Sequence, residues 1–199
     1  MNKAEAIRVI DEKQALLDDV NDSIWEYAET AFQEFKSMDK LCEALEQMRY
    51  QGPVTLELGR YIAACSGSYA TRIVDVKTNL GNDYCIVDGG IHQVNYYGQM
   101  LATKRPPVTV LPERNEETSP YTICGALCTT NDILLKEFPL PEPQLGDVLV
   151  FDRVGAYSPL EGIALFLSRD LPQVALYSAR DGLRRVREAV PTDPWNSER

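Results

Sequence analysis

Glycine and proline are so unevenly distributed in this chain that its first fifty residues and its remainder must fold differently. All 12 glycines and all 12 prolines lie after Tyr50. Because nothing in residues 1–50 breaks an i→i−4 hydrogen-bond ladder, their Ala, Glu, Leu and Lys content favours helix. Apolar residues recur there at spacings of three and four, which predicts one helix from about Lys3 to about Glu34. Ser37 is the expected N-cap of a second, short helix, so the sequence predicts a helical hairpin.

The chain after residue 53 is typical of β structure. Short runs of β-branched and aromatic residues alternate there with turn residues such as Gly89 and Gly90. The runs that we expect to be strands are 72–76, 84–87, 108–111, 147–151 and 173–177. Strands at such regular spacing predict a closed antiparallel barrel or sandwich. The predicted fold class is therefore α+β, with a helical hairpin at 1–50 followed by an antiparallel β-barrel domain at 53–199.

Charge and cysteine content exclude several classes of function. The chain has 30 acidic and 20 basic residues, a formal net charge of -10 and no basic stripe, which argues against nucleic-acid binding. No apolar run approaches the roughly 18 residues that cross a bilayer, and the N-terminus lacks the apolar stretch of a signal peptide. Five cysteines without a CxxC pair predict no disulfide framework, and one histidine, His92, predicts a turn residue rather than a metal site. We therefore expect a cytoplasmic protein.

Four short motifs follow one another in the second part of the chain. They are Glu57-Leu58-Gly59-Arg60, Val87-Asp88-Gly89-Gly90, Cys128-Thr129-Thr130-Asn131-Asp132 and Gly155-Ala156-Tyr157. In this order, with a Gly-Asp-x-Leu strand between the last two, they resemble the C-terminal part of the pyridoxal-phosphate-dependent decarboxylases that act on ornithine, arginine and diaminopimelate. That family has the alanine-racemase-like fold. Leu58 departs from its pattern, which has proline at that position.

The resemblance implies that pyridoxal phosphate is the cofactor and names residues that would hold it. Glu57 would lie beside the pyridine nitrogen, whose protonated form makes the cofactor a better electron sink. Gly59 would permit close backbone approach, Arg60 suits a phosphate group, and Tyr157 would give its hydroxyl to the same phosphate. Alternatively, Glu57 is an ordinary surface residue at a strand end and Tyr157 is a half-buried turn residue.

The same resemblance gives Cys128 a catalytic role. In the family this cysteine reaches across the dimer interface and protonates the carbanion left by decarboxylation, and Asp132 of the same motif would bind substrate. Otherwise, Cys128 is a small hydrophobe of a β core. Family members with basic substrates carry an acidic residue directly after the cysteine, where this chain has Thr129, which cannot pair with an ammonium as a carboxylate does. The arginine that the family places close to Asn95 is also missing, so the substrate stays open.

The resemblance covers only part of the family's enzymes. In the family, a large (β/α)8 barrel precedes these motifs and carries the lysine that forms the Schiff base with the cofactor. About 55 residues precede Glu57 here, too few for such a barrel. We therefore expect the catalytic lysine to be absent and the chain to be inactive alone.

Three interpretations stay open. The chain could be the C-terminal β domain of an amino-acid decarboxylase, a regulatory or binding pseudoenzyme that pairs with a full-length decarboxylase, or a fragment of a fused gene. The expected partner is a second copy in a homodimer or a barrel-bearing decarboxylase subunit. Residues 16–47 are in addition similar to the opening helices of the M20 family of metal-dependent amidohydrolases, through segments 24–29 and 32–34, although no metal ligands of that family have counterparts here.

Overall fold

The computed structural model describes residues 2–29, 34–48, 52–53, 55, 59–95 and 105–197. The chain divides into two compact units, Met1–Glu57 and Leu58–Arg199. The first unit is helical and the second is built on β-sheet, which makes the fold α+β as the sequence predicts. No helix among the described residues is both long and apolar enough to cross a membrane.

The helical unit contains α1 Lys3–Glu12, α2 Gln14–Tyr27 and α3 Phe35–Gln47. The single helix predicted from Lys3 to Glu34 is therefore wrong. The backbone leaves helical geometry at Lys13, where φ is -103° and ψ is 2°, and it turns left-handed at Ala28, where φ is 47°. Neither break involves glycine or proline, so residue composition alone gives no sign of them.

Ser37 is not the N-cap of α3, contrary to the sequence prediction. It lies inside the first turn of the helix, and the carboxylate of Glu29 occupies the capping position instead. Glu29 accepts hydrogen bonds from the N–H groups of Lys36 at 3.1 Å and Ser37 at 2.8 Å, and from the Ser37 hydroxyl at 2.9 Å. A carboxylate satisfies the unpaired N–H groups of a first helical turn and interacts favourably with the helix dipole. An ion pair of 2.6 Å between Lys40 and Asp19 also joins α3 to α2.

The described residues of the sheet unit form eight strands and several short helices. The strands are β1 Ser68–Asn79, β2 Asn82–Val87, β3 Val108–Leu111, β4 Ser119–Cys124, β5 Ile133–Leu140, β6 Val148–Asp152, β7 Val174–Ser178 and β8 Gly182–Arg187. The α-helices are α4 Gly59–Ala63 and α5 Asp193–Asn196, and 3-10 turns lie at Ala64–Ser66 and Phe166–Ser168. All five predicted strand segments overlap observed strands, whereas β4, β5 and β8 are not among the predicted segments.

The first six strands form one sheet in the order β3-β6-β1-β2-β4-β5, and β7 pairs with β8 alone. The prediction of a closed antiparallel barrel is wrong in two respects. Strands β2 and β4 pair in parallel, so the sheet is mixed. The outer strands β3 and β5 are not paired with each other in the described part of the chain, so the sheet is open. The parallel pair is possible because a long connection, which includes β3 on the other side of the sheet, separates β2 from β4.

Strand β1 curls the sheet because its two halves pair with different neighbours. Ser68 to Arg72 pair with β6, and Ile73 to Asn79 pair with β2. The register shifts between Ile73 and Asp75, and such a bulge increases the local twist. The result is a curled half-barrel whose concave core contains the apolar side chains Ile73, Cys85, Val87, Val94, Ile123, Leu134, Leu135, Leu140, Leu149, Phe151 and Val154.

The register brings the loops that carry the sequence motifs toward one end of this sheet. Asp152 at the end of β6 lies opposite Ser68 at the start of β1. The end of β2 lies beside the end of β4, because these two strands run in parallel. Segments 59–67, 88–95, 125–132 and 153–165 therefore leave the sheet toward the end at which β1 begins.

Candidate functional site

Backbone hydrogen bonds join these loops to one another. The Ala126 N–H donates to the Gly89 carbonyl oxygen at 2.7 Å, and the Asn95 N–H donates to the Ser158 carbonyl oxygen at 2.9 Å. Two further bonds of this kind run from Val154 to Gly67 and from Gly155 to Ala64. The loops therefore form one hydrogen-bonded platform, on which side chains distant in sequence meet.

Gly59, Arg60 and Tyr157 come together on this platform. The Arg60 guanidinium lies over the Tyr157 ring, 4.9 Å from its centroid, and its Nη1 donates to the Ala156 carbonyl oxygen at 3.4 Å. A Cβ at Gly59 would lie 2.9 Å from the Tyr157 hydroxyl oxygen, so the glycine allows Tyr157 to approach this closely. The structure thus brings together three of the four residues predicted to hold the cofactor. The fourth, Glu57, lies outside the described residues.

The backbone of Tyr157 is held in a conformation that is uncommon for its residue type. Its φ is 63°, in the left-handed region. The Leu160 and Glu161 N–H groups donate to the Tyr157 carbonyl oxygen at 2.7 and 3.1 Å, which closes the turn. The side chain is about half exposed, at 52%. The Tyr157 hydroxyl therefore lies close to Gly59 while the residue as a whole stays half exposed.

This cluster has the chemistry of a phosphate-binding site. The guanidinium of Arg60 presents several N–H donors, the Tyr157 hydroxyl adds an O–H donor, and Gly59 leaves space beside them. The nearest oxygen of Glu161 lies 3.9 Å from Arg60, at the limit of an ion pair, and the Arg60 side chain is 27% exposed. The residues present therefore fit a phosphate group.

Cys128 lines an open groove of about 530 Å³ on the same end of the sheet. The groove is bounded by β1, β2, β4 and the loop between β4 and β5, through Asp75, Lys77, Ile86, Cys124, residues 125–130, Asp132 and Ile133. Cys128 is exposed. Burial, by contrast, raises the pKa of the Cys85 thiol to about 12 and also raises the pKa of Cys124. Among Cys85, Cys124 and Cys128, only Cys128 is exposed.

Asp132 lies beneath this groove and is 2% exposed. Its two carboxylate oxygens accept hydrogen bonds from the N–H groups of Ile91 and Leu127, at 2.9 and 2.8 Å. These contacts order the loops around the groove. Substrate binding by Asp132 stays a prediction.

His92 is buried in a turn formed by residues 91–93, as the sequence predicts for a turn residue. Burial lowers the pKa of His92, so its imidazole is neutral near pH 7. Its Nδ1 atom has no hydrogen-bond partner among the described residues, and the side chain lines a polar cavity of about 260 Å³ with Arg169 and Asp170. Within the described ranges, no three His, Cys, Asp or Glu side chains cluster as metal ligands would.

Sequence reasoning missed Lys77 and Asp75 as groove residues. The signal was present in part, since residues two apart in a strand point to the same face. What was lacking was the parallel pairing of β2 with β4, which places that face of β1 near Cys128. Glu161, which lies beside Arg60, follows the last motif but belongs to no motif itself, so the sequence does not single it out as a site residue.

Comparison with known proteins shows which family the chain resembles. The model of the pyridoxal-dependent decarboxylase family, C-terminal sheet domain, matches residues 8–155. A diaminopimelate decarboxylase of Deinococcus radiodurans is 31% identical over 157 residues, which are 78% of this chain and 40% of the relative. An L-glutamyl-[BtrI acyl-carrier protein] decarboxylase of Niallia circulans is 30% identical over 141 residues, 67% of this chain and 33% of the relative.

The fold is also similar to that of a solved enzyme. The crystal structure of diaminopimelate decarboxylase from Helicobacter pylori, complexed with L-lysine, superposes with a TM-score of 0.67 and 25% identity. The superposition covers 85% of this chain and 40% of the enzyme. This chain thus spans 33% to 40% of the length of these relatives.

The family match begins at residue 8 and therefore includes residues 16–47, for which the sequence also suggested a likeness to amidohydrolases. That likeness stays an untested prediction. The match extends over well more than half of the 199 residues and ends within the Gly155-Ala156-Tyr157 motif. The chain belongs to the pyridoxal-dependent decarboxylase family and matches its C-terminal sheet domain.

Proposed function

We propose that this chain supplies the cofactor-phosphate and subunit-interface part of a pyridoxal-phosphate-dependent amino-acid decarboxylase, a lyase of amino-acid metabolism. The observation that carries the proposal is the contact of Gly59 and Arg60 with Tyr157, which lies almost a hundred residues later in the sequence. The lysine that carries the cofactor would lie outside the part of the enzyme that this chain matches. The 199-residue chain alone is then catalytically inactive.

In this proposal, each site residue has a defined task. Pyridoxal phosphate, when bound, supplies an electron sink for the electron pair that remains when a carboxylate leaves as carbon dioxide. Arg60 would bind the phosphate by charge-assisted hydrogen bonds, and the Tyr157 hydroxyl would donate a hydrogen bond to a phosphate oxygen. Gly59 keeps the space beside them free. Glu57 would hold the proton of the pyridine nitrogen, as the family resemblance implies.

Cys128 acts as the proton donor at the substrate carbon in the site of a partner subunit. Its exposure at the open groove supports this role, because the thiol must be accessible at the surface of its own subunit to enter the site of a partner. The partner is a second copy or a barrel-bearing decarboxylase subunit. Large apolar side chains exposed next to the Tyr157 turn, such as Leu160 at 84%, support an interface at this end of the sheet. Free cysteines suit the proposed location, the reducing cytoplasm.

The distal group of the substrate is proposed not to be an ammonium. Thr129, which follows the proton donor and lines the groove, has a neutral hydroxyl that accepts the Asn131 N–H at 3.3 Å. The nearby carboxylate of Asp132 is already bonded to two backbone N–H groups. Asp75 faces the groove together with the cationic Lys77. The name of the Niallia circulans relative, an L-glutamyl carrier-protein decarboxylase, gives an example of a family member with a non-basic substrate.

Phosphate recognition by Arg60 is tested by calorimetric titration of the purified chain. The ligand is 4-deoxypyridoxine 5′-phosphate, which lacks the aldehyde and so cannot label surface lysines, and the comparison ligand is 4-deoxypyridoxine without phosphate. The proposal predicts preference for the phosphorylated ligand, and Arg60→Gln should weaken its binding by about tenfold or more. The control is Arg180→Gln, because Arg180 is paired only at the surface with Asp181, at 3.0 Å, and should leave binding unchanged.

Equal affinity of the wild type for the two ligands would contradict the phosphate-binding proposal. Absence of any binding would instead favour the regulatory alternative, in which the chain pairs with a full-length decarboxylase and holds no cofactor. Unchanged binding of the phosphorylated ligand by Arg60→Gln would show that Arg60 does not bind the phosphate.

A further inference from the structure

Asp132 holds the backbone on both sides of Cys128. The Leu127 N–H donates to Asp132 Oδ2 at 2.8 Å, and the Asp132 N–H donates to the Thr129 carbonyl oxygen at 3.1 Å. The Gly125 N–H donates to the Asp132 carbonyl oxygen at 2.9 Å, which closes the loop at its start. The thiol of Cys128 is exposed, yet its neighbours in the chain are fixed by one buried residue.

The other carboxylate oxygen of Asp132 reaches a different loop. Its Oδ1 accepts the Ile91 N–H at 2.9 Å, in the segment that follows β2. The Ala126 N–H donates to the Gly89 carbonyl oxygen at 2.7 Å and forms a second link between these two loops. One carboxylate that is 2% exposed therefore joins segment 125–132 to segment 88–95.

Two glycines provide the space that this carboxylate occupies. A Cβ at Gly90 would lie 2.6 Å from both carboxylate oxygens of Asp132, and a Cβ at Gly125 would overlap them. Gly90 also has a φ of 152°, which side chains with a Cβ rarely adopt. The buried carboxylate of Asp132, with its two acceptor oxygens, is thus enclosed by Gly90 and Gly125, two positions at which a side chain would overlap it.

We propose that Asp132 is a positioning residue, which places Cys128 by fixing the β4–β5 loop against the loop that follows β2. The inference rests on the proposed function for the importance of the Cys128 thiol, but the positioning itself needs no cofactor. Because the carboxylate is buried and both of its oxygens accept backbone hydrogen bonds, Asp132 acts through Cys128 and does not touch substrate. This assignment competes with the predicted role of Asp132 in substrate binding.

The test compares the wild-type chain with Asp132→Asn, without cofactor, by amide hydrogen exchange in NMR spectra. Asparagine keeps one acceptor oxygen and turns an N–H group toward the other backbone donor. The exchange of the Ile91 and Leu127 amides should accelerate by about tenfold or more, while the paired amides of β2 change by less than about twofold. The matched control is Asp83→Asn, whose carboxylate accepts the Thr78 hydroxyl at 2.5 Å in the β1–β2 hairpin and should leave both loop amides unchanged.

A second readout follows the thiol itself. Brief alkylation with iodoacetamide and peptide mapping should show a change of roughly threefold or more in the Cys128 rate in Asp132→Asn, with the exposed Cys65 as the internal reference. A role in global stability alone would accelerate loop and strand amides together, and that result would overturn the inference. Wild-type exchange rates at Ile91 and Leu127 in the variant would overturn it as well.

The wild-type protein gives an answer even when Asp132→Asn fails to fold. The Ile91 and Leu127 amides should exchange at least about tenfold more slowly than the Cys128 amide, which donates no hydrogen bond among the described residues. Equal rates would overturn the inference. Because no cofactor is present in any of these experiments, their outcome is independent of the ligand titration that tests phosphate binding.

Discussion

The helical unit and the sheet unit differ in how much side-chain surface they bury. Among the described residues of α1 to α3, only Ser37 and Ala44 are buried, and large apolar side chains such as Trp25 are exposed, in that case at 84%. The sheet unit instead packs eleven apolar side chains into one cluster. The comparison shows that a chain segment can form helices without making a core of its own. Stability should therefore reside in the sheet unit.

The largest effect is expected from truncating the sheet core. Phe151 is fully buried and lies against Tyr69, with ring centroids 6.1 Å apart. Phe151→Ala should lower the free energy of unfolding by about 3–5 kcal/mol, because it removes buried apolar surface and leaves a cavity. Ile10→Ala on α1, where the side chain is 53% exposed, should cost less than about 0.5 kcal/mol. Urea denaturation measures both, and similar losses would erase the contrast between the two units.

A smaller effect is expected at the buried ion pair of the sheet unit. Arg114 Nη2 lies 2.5 Å from Asp147 Oδ2, and the Asp147 side chain is 5% exposed. Asp147→Asn should lower the free energy of unfolding by about 1–3 kcal/mol, because Arg114 loses its closest carboxylate and keeps the longer contact of its Nε with Glu116 Oε2 at 3.7 Å. Asp19→Asn, which breaks the more exposed pair with Lys40 in the helical unit, should cost much less.

The pH dependence of unfolding provides the sign test for this pair. The Arg114 guanidinium holds the pKa of Asp147 below its usual range, helped by the Gln144 N–H and opposed by burial. A depressed folded-state pKa stabilises the protein above the unfolded-state pKa of about 3.9, and this contribution is lost as pH falls through the lower folded value. The wild type should lose this contribution in acid. The Asp147→Asn variant lacks the carboxylate at every pH, so its free energy of unfolding should fall less as the pH is lowered. Parallel acid profiles for the two proteins would show that the pair contributes nothing.

Thiol labelling separates the core of the sheet unit from its loop end. Cys128 should react with iodoacetamide at least about tenfold faster than Cys85, because burial raises the Cys85 pKa to about 12 and blocks access. Cys42 on α3 is exposed and serves as the reference in the helical unit. Peptide mapping after brief alkylation at pH 8 gives the three rates. A Cys128 labelling rate as low as that of Cys85 would show that the Cys128 thiol is not accessible, which contradicts its proposed role as proton donor.

The smallest effect is expected from removing the helices. Residues 53–199 expressed alone should keep the β signature in far-UV circular dichroism and a melting temperature close to that of the whole chain, because the apolar cluster lies entirely in the sheet unit. An unfolded product would mean that the helices complete the β core. The division at residues 50–53 would then be wrong.

The sequence predicts local structure in this protein better than it predicts pairing. Residues 108–111 were predicted as a strand and form β3 with the same bounds. Strand β5 was not predicted because it contains Pro139 and a residue with left-handed backbone, Glu137 at φ 47°. Strand β8 was not predicted because it is exposed and contains three arginines. The parallel pairing of β2 with β4 depends on a long connection, and residue periodicity contains no information about it.

The candidate site could be predicted only where short motifs carry it. Gly59, Arg60 and Tyr157 were named from their motifs, and the fold brings them together. The role of Asp132 as a clamp between two loops was not predicted, because its partners are backbone N–H groups and every residue has such a group. Lys77 was missed because its place in the groove follows from sheet topology.

The central claim, that this chain holds only part of a decarboxylase site, is tested most directly by release of carbon dioxide. The purified 199-residue chain is incubated with pyridoxal phosphate and L-ornithine, L-lysine, L-arginine, L-glutamate or diaminopimelate. The diaminopimelate decarboxylase of Deinococcus radiodurans serves as the positive control for the assay with diaminopimelate. No release above that of the free cofactor is expected for any of these amino acids. Turnover above that background that disappears in Arg60→Gln would contradict the central claim, because the chain would then contain a complete catalytic site.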